Sequence, residues 1–254
     1  EEVPLVQKRA CEIARRRAPA LAIDGELAFT GGMNIRNKHI AVPGVRPAQV
    51  IDVHFRLRGP IVTQIQEVFA PDWLFSAREA LPPPPSAAQV TTLPEEAECR
   101  VIVDGPNEDL DKLLWVLVGA ISAARASIRI MTPYFLPPRE LAVALQTAAM
   151  RGVEVTIVLP AHNNFPFMTW ATTHTLGELL MTGVRVHFYT GPFLHTKLLL
   201  VDDYYAQIGS SNLDPRSLRL NFELAVEIYD PAFGRPGAAH FVEILAESRE
   251  LSFG

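Results

Sequence analysis

The chain has little of several things that would decide its class at once. It holds two cysteines in 254 residues, Cys11 and Cys99, far apart and in no motif. That pattern builds neither a disulfide framework nor a zinc site, and reduced thiols in a cytoplasmic compartment are the expectation. A long hydrophobic run is missing too: the strongly apolar stretch 113–124 is about a dozen residues, whereas a membrane-spanning helix needs roughly 20. Basic excess is absent, since the formal net charge is -5. That balance weighs against a general nucleic-acid binder, although it leaves room for a local basic pocket. The chain opens on Glu1-Glu2 with neither an initiator methionine nor a charged-then-apolar leader, so it reads as a piece of a longer gene product.

What is present suits a folded protein. With 48% hydrophobic and 20% charged residues, the chain can form one large or two modest domains with a real core. The composition breaks once, at "LPPPPSAAQVTTLPEEAE", residues 81–98, where prolines and small polar residues exclude helix and sheet interiors and predict a linker. After it, 100–104 reads as a short alternating strand, 110–126 as a helix and 127–131 as a second strand. A helix starting near Pro137-Pro138 and ending before Gly152 leads to a buried strand over 153–159. Residues 176–181 form another helical piece closed at Gly183, followed by a strand over 184–189. Strands alternating with helices predict an α/β layer architecture.

The strongest organisational signal is an internal repeat. Asp24 is followed seven residues later by Gly31-Gly32-Met33-Asn34, and Asp202 seven residues later by Gly209-Ser210-Ser211-Asn212. Each aspartate follows an apolar strand, which predicts two homologous halves sharing one site, the first cut short at its start. If "HTKLLLV", residues 195–201, is a strand, His195 and Lys197 project from one face and Thr196 from the other. The Gly209-Ser210 corner, with the Asn212 amide, supplies small backbone and neutral donors for an anion.

A histidine beside a lysine and neutral donors, with no run of carboxylates to hold a metal, suits a tetrahedral phosphoryl group. Lys197 would neutralise one oxygen, and Ser210 and Asn212, with Asn34 from the other cassette, would bind others. His195 would attack phosphorus or protonate a leaving alcohol, and Glu223, in "LNFE", would hold its other ring nitrogen. Neither metal nor cofactor is expected.

His195-x-Lys197-x-x-x-x-Asp202 followed by Gly209-Ser210-x-Asn212 resembles the signature of the phospholipase D superfamily, complete at its spacing. "TPYFLPP", "AAMRGVEVTIVLP", "GVRVHFY", "LHTKLLLVDD" and "GSSNLDPRSLRLNFE" look like its bacterial cardiolipin synthase branch. So do "DGELAFTGGMNI" and "DVHFRLRGPIVTQIQEVFAPDW" in the first part. The resemblance covers nearly all of residues 20–230. It implies a phospholipase D-like α/β fold of two pseudo-symmetric halves, with residues 1–80 the C-terminal part of the first, 81–98 the linker and 99–254 the second. It implies catalytic roles for His195, Lys197, Asp202 and Glu223, and makes Asp24, Gly31, Gly32 and Asp52 the remnant of the first motif. In such enzymes one histidine is phosphorylated and another acts as acid and then base. The implied activity is transfer of a phosphatidyl group between phosphatidylglycerol molecules at the cytoplasmic face of a bacterial membrane, peripherally or through an N-terminal anchor, with no nucleic-acid partner. Hydrolysis, with water as acceptor, is the alternative.

One departure stands out. Counting back from Asp24, the first histidine belongs at position 17 and its lysine at 19, and these are Arg17 and Pro19. His39 and His54 lie downstream and read as surface or orienting histidines. Asp52, where the first half's orienting carboxylate belongs, would have nothing to orient. Three explanations compete: a natural loss leaving a half-site that still binds phosphate but turns over poorly, a shifted reading frame over residues 1–19, or completion by another chain; an inactive phospholipid-binding module is the alternative to an enzyme. Of the three explanations, the first two are favoured. Trp73 and Trp115 read as core. Residues 163–174 read equally as a lipid-touching patch or a packed helix, residues 9–17 as a solvated stretch, and Tyr134 as part of a structural turn.

Overall fold

The computed structural model of the chain describes residues 20–34, 37–39, 49–83, 97–105, 109–162 and 166–252, without the side chains of 72, 75, 76 and 166–171. The basic stretch 9–17 and positions 17 and 19 lie outside the described residues, as do the side chains at the start of the 163–174 segment.

Most of the strands join one eight-stranded mixed sheet. Its strands are β5 (Glu98–Asp104), β6 (Ser127–Met131), β7 (Glu154–Pro160), β8 (Arg185–Tyr189), β10 (Leu198–Val201), β11 (Tyr205–Gly209), β12 (Glu223–Tyr229) and β13 (Ser248–Glu250). Their order is β13-β8-β7-β6-β10-β11-β12-β5. β6, β7 and β8 run parallel, and the remaining pairs are antiparallel. β7 is buried from Val155 to Pro160, as a parallel strand covered on both faces should be.

Two apolar layers cover the sheet. On one face, α2 (Lys112–Ala123), α3 (Arg139–Met150) and α4 (Pro166–Met181) bring Leu113, Leu117, Ile121, Leu141, Leu145 and Leu179 onto Ile128, Ile130 and Ile157. On the other, α6 (Pro231–Ala246) brings Phe241 and Ile244 onto Leu198, Leu200 and Ile208. β10 alternates between the layers, Leu199 and Val201 in the first and Leu198 and Leu200 in the second. A fifth helix, α5 (Pro215–Arg219), starts at the Asp214 cap.

The N-terminal part makes a three-stranded sheet of β1 (Ala20–Ile23), β2 (Leu27–Gly31) and β4 (His54–Arg58), followed by α1 (Ile61–Ala77). Ala28, Ile61, Val62 and Ile65 enter the second apolar layer. A short parallel ladder between β3 (Val50–Ile51) and β9 (Phe193–Leu194) joins this part to the larger sheet's loop.

The two cassettes fold alike. β1 and β2 meet at Ile23↔Leu27, as β10 and β11 meet at Val201↔Tyr205. Asp24 and Asp202 open the turns in the left-handed region, at φ 52° and 54°. β4 pairs with β2 as β12 pairs with β11, Gly31 facing His54 and Gly209 facing Ala225. Asp52 and Glu223, each two residues before that partner, therefore stand at equivalent places.

Several expectations change in detail. The strand of "HTKLLLV" begins only at Leu198, because the amide of His195 donates to Ile51 O at 2.7 Å and so continues the β9 ladder rather than the large sheet. The helix expected over 176–181 starts ten residues earlier, at Pro166. Glu98, placed in the linker, already belongs to β5. Trp73 and Trp115 are 37% and 59% exposed rather than core: each lies on an outward helix face where a large ring shows apolar area singly, as surfaces ordinarily do.

Candidate active site

The loop from β9 to β10 carries His195 and Lys197 on one side, while Thr196 is fully buried on the other. The alternation expected of a strand survives although the strand does not. Lys197 is buried, its Nζ donating to His195 O at 2.7 Å and lying 3.2 and 3.3 Å from the two ring nitrogens. Burial lowers its ammonium from 10.5 to about 8, against the upward pull of Asp52, Glu223 and Asp214. A cation so desolvated interacts strongly with any anion that enters.

The carboxylate on His195 is Asp52, whose Oδ2 lies 2.7 Å from Nδ1. The other Asp52 oxygen accepts the Val53 amide at 2.9 Å. With a proton on Nδ1 donated to the carboxylate, the lone pair stands on Nε2. Gly32 makes room for this: a Cβ there would sit 2.5 Å from Asp52 Oδ1. Asp52 was expected to be idle, and the structure corrects this. The β3–β9 ladder carries it across to the histidine of the other cassette, 143 residues away in sequence.

Glu223 does not hold His195. It is buried and accepts bonds from the Ser210 hydroxyl and, at 3.0 Å, from Asn221 Nδ2. Burial pushes its carboxyl up, opposed by those two donors and by Lys197. The Ser210 hydroxyl is therefore engaged by Glu223. Asn212 Nδ2 donates to Ser217 Oγ at 3.2 Å, and that hydroxyl contacts Asp214, the α5 cap. The "GSSNLDPRS" segment is thus tied down by its own side chains beside Lys197.

Asp202 is not brought to the site. Its carboxylate accepts the amides of Arg125, Ala126 and Ser127 at 2.7, 2.8 and 2.7 Å, at the end of β10 remote from Lys197. Desolvation alone would raise its pKa, and the three amide donors outweigh that and hold it below the ordinary value. Its counterpart Asp24 sits exposed in the β1–β2 turn, and Asn34 is exposed after β2. Gly31 and Gly209 both end their strands where a Cβ would overlap the facing strand, at Val53 O and Leu224 O respectively.

Two neighbours of His195 were not singled out from the sequence as site residues. Phe193 lies with its ring centroid 6.0 Å away, and Tyr134 packs on Phe193 at 6.4 Å. His39, in the 3-10 turn Asn37–His39, meets His195 edge-on at 5.7 Å. Position in one cassette gives no sign of a contact with the other, so only the tertiary ladder exposes it. His54 instead stacks on Phe29 at 6.5 Å. Among the described residues no cluster of three or more His, Cys, Asp or Glu could hold a metal ion, and no helix is long and apolar enough to cross a membrane.

A family model described as "Cardiolipin synthase, PLD-like domain" matches residues 117–245. Cardiolipin synthase A of Erwinia tasmaniensis is 35% identical over 240 residues, covering 92% of this chain and 49% of that protein. The Serratia proteamaculans protein of the same name is 36% identical over 243 residues, covering 94% of this chain and 49% of its own. The chain thus spans about half the length of the curated relatives it matches. Among solved structures, Nuc, a phospholipase D family member from Salmonella typhimurium, superposes with a TM-score of 0.53 at 26% identity, over 61% of this chain and all of that one. Phosphatidylserine synthase from Haemophilus influenzae gives 0.66 at 17% identity, over 91% of this chain and 62% of the other, a likeness of fold. The signature around His195, the mixed sheet that carries it and these matches agree: the chain belongs to the phospholipase D superfamily, in its cardiolipin synthase-like branch.

Proposed function

We propose that the chain carries the phosphatidyl-transferring site of a cardiolipin synthase-like enzyme, with His195 as nucleophile. The observation that carries the reading is the setting of His195, fixed by Asp52 at Nδ1 and flanked by Lys197. Asp52 keeps the Nε2 lone pair available and stabilises the positive charge that develops on the ring. Lys197 neutralises a non-bridging phosphoryl oxygen as phosphorus becomes five-coordinate. The Nε2 lone pair forms an N–P bond while the bond to the leaving glycerol oxygen breaks. The hydroxyl of a second phosphatidylglycerol then takes the phosphatidyl group. Water in its place gives hydrolysis.

The proposed division is a first half within residues 1–80, a linker over 81–98 and a second half over 99–254, supported by the matching hairpins. Glu223, equivalent to Asp52 by register, then stands ready for a histidine of the first half. Asn34 and Asn212 are the proposed phosphate donors beside Ser210, and attachment to the cytoplasmic membrane face follows from the lipid substrate. One observation favours a second reading: positions 17 and 19 are Arg17 and Pro19, as a phospholipid-binding protein without turnover would have.

The test is to incubate the chain with phosphatidylglycerol labelled in its phosphate, quench in base and map label by mass spectrometry. Acid-labile, base-stable label on His195, lost in His195→Ala, is expected. Tight lipid binding with no label on any histidine would replace the transferase by the binding protein.

A further inference from the structure

A phosphohistidine mechanism needs more than the nucleophile. The alkoxide that leaves phosphorus must receive a proton, and the acceptor hydroxyl must lose one. Around the His195 ring, Asp52 is committed to Nδ1, Phe193 has no proton to give, and Lys197 is assigned to a non-bridging phosphoryl oxygen. Among the described residues, a further ring neighbour is an imidazole. The His39 ring meets His195 with centroids 5.7 Å apart and planes at 81°.

Its placement follows from the same ladder that delivers Asp52. The Gln49 amide donates to Lys38 O at 3.3 Å, Phe193 N to Gln49 O at 3.2 Å, and His195 N to Ile51 O at 2.7 Å. Three consecutive backbone links thus fix the turn bearing His39 to the loop bearing His195. His39 is half-buried. Two imidazoles at this separation are near enough to act on one substrate group. Catalytic hydrogen bonds are often long or poorly aligned before substrate binds and tighten only in the complex. Imidazole is also the side chain whose ordinary pKa allows it to give and take a proton near neutrality.

We propose that His39 is the general acid and then the general base of this chain, supplying from the 3-10 turn the second histidine that position 17 lacks. The proposal rests on His195 as the nucleophile. In the first step the Nε2 lone pair of His195 bonds to phosphorus, the P–O bond to glycerol breaks with its electron pair on oxygen, and that oxygen takes the proton of the His39 imidazolium. In the second, neutral His39 takes the proton of the acceptor hydroxyl, whose oxygen bonds to phosphorus as the N–P pair returns to Nε2. His39 ends as it began.

The experiment compares two phosphatidyl esters on the full chain. Glycerol is a poor leaving group that needs a proton, whereas p-nitrophenolate leaves unprotonated. His39→Gln is therefore expected to lower turnover of phosphatidylglycerol about 100-fold or more, while the first-turnover burst of p-nitrophenolate from phosphatidyl-p-nitrophenol stays within a few-fold of the parent. That burst also certifies that the variant is folded. His195→Ala should abolish both reactions. Equal loss on the two esters, or no loss on either, would overturn the assignment of His39 and leave His195 standing. No burst from the unmodified chain would remove the nucleophile and His39 with it.

Discussion

Lys197 is the residue on which the electrostatics of the site turn. Its ammonium is held down to about 8 by burial, whereas an unfolded chain would keep it near 10.4. Below pH 8 both states are charged, and the folded state bears the full desolvation cost. Between about 8 and 10.4 the unfolded state binds more protons, so this residue makes stability rise with pH in that window. Phosphate binding runs the other way, because only the protonated form neutralises an oxygen. A phosphodiester such as glycerophosphoglycerol keeps one negative charge throughout. Its dissociation constant, followed by calorimetry, should therefore climb toward tenfold per pH unit above 8, and Lys197→Arg should abolish the climb by staying charged. A flat profile from pH 7 to 9.5 in the unmodified chain would remove Lys197 from the anion's contacts.

At the scale of elements, the paired hairpins explain why a motif residue lies outside the site. β10 is short and extended, so a residue at its far end stands about 3.3 Å further for each position passed, and Asp202 cannot reach the phosphate that Lys197 meets. What it does instead is join the β10–β11 turn to the start of β6 through three amides. Asp202→Asn is expected to cost about 1–3 kcal/mol of stability in urea unfolding, while turnover per folded molecule changes little. A loss of turnover with unchanged stability would return Asp202 to the chemistry. The contribution is pH-dependent with a definite sign: the folded pKa is depressed, so the stabilisation is present above the unfolded value and is lost as pH falls through the folded one. Sequence periodicity located β6, α2, α3 and β7 nearly to the residue, because each buries a continuous or regularly spaced apolar face. It extended β10 back through His195, because alternation alone does not say which neighbour a backbone amide will choose, and here Ile51 O takes it.

Across the whole molecule the legible and illegible parts separate by range. Residues of one cassette, His195 with Lys197 and Gly209 with Ser210, were readable from spacing. Asp52 on His195 was not, since the pairing crosses 143 residues and depends on two extended segments lying parallel. Among the described residues the same architecture leaves one face open. Leu199 and Val201 of β10 are buried under the helical layer that holds Leu113 and Ile121, but their counterparts in β1, Leu21 and Ile23, are 56% and 39% exposed. β10 is paired on both sides, by β6 and β11, whereas β1 pairs only with β2 among the described residues. An apolar face beside an unpaired edge is a template for association. The chain as given should therefore self-associate with rising concentration in sedimentation velocity. Leu21→Lys with Ile23→Lys should suppress this while leaving the urea midpoint nearly unchanged, because neither side chain is in the core. If the double variant associates as the parent does, the sticky surface lies elsewhere; if it unfolds, β1 is covered in solution by a layer that both residues hold in place.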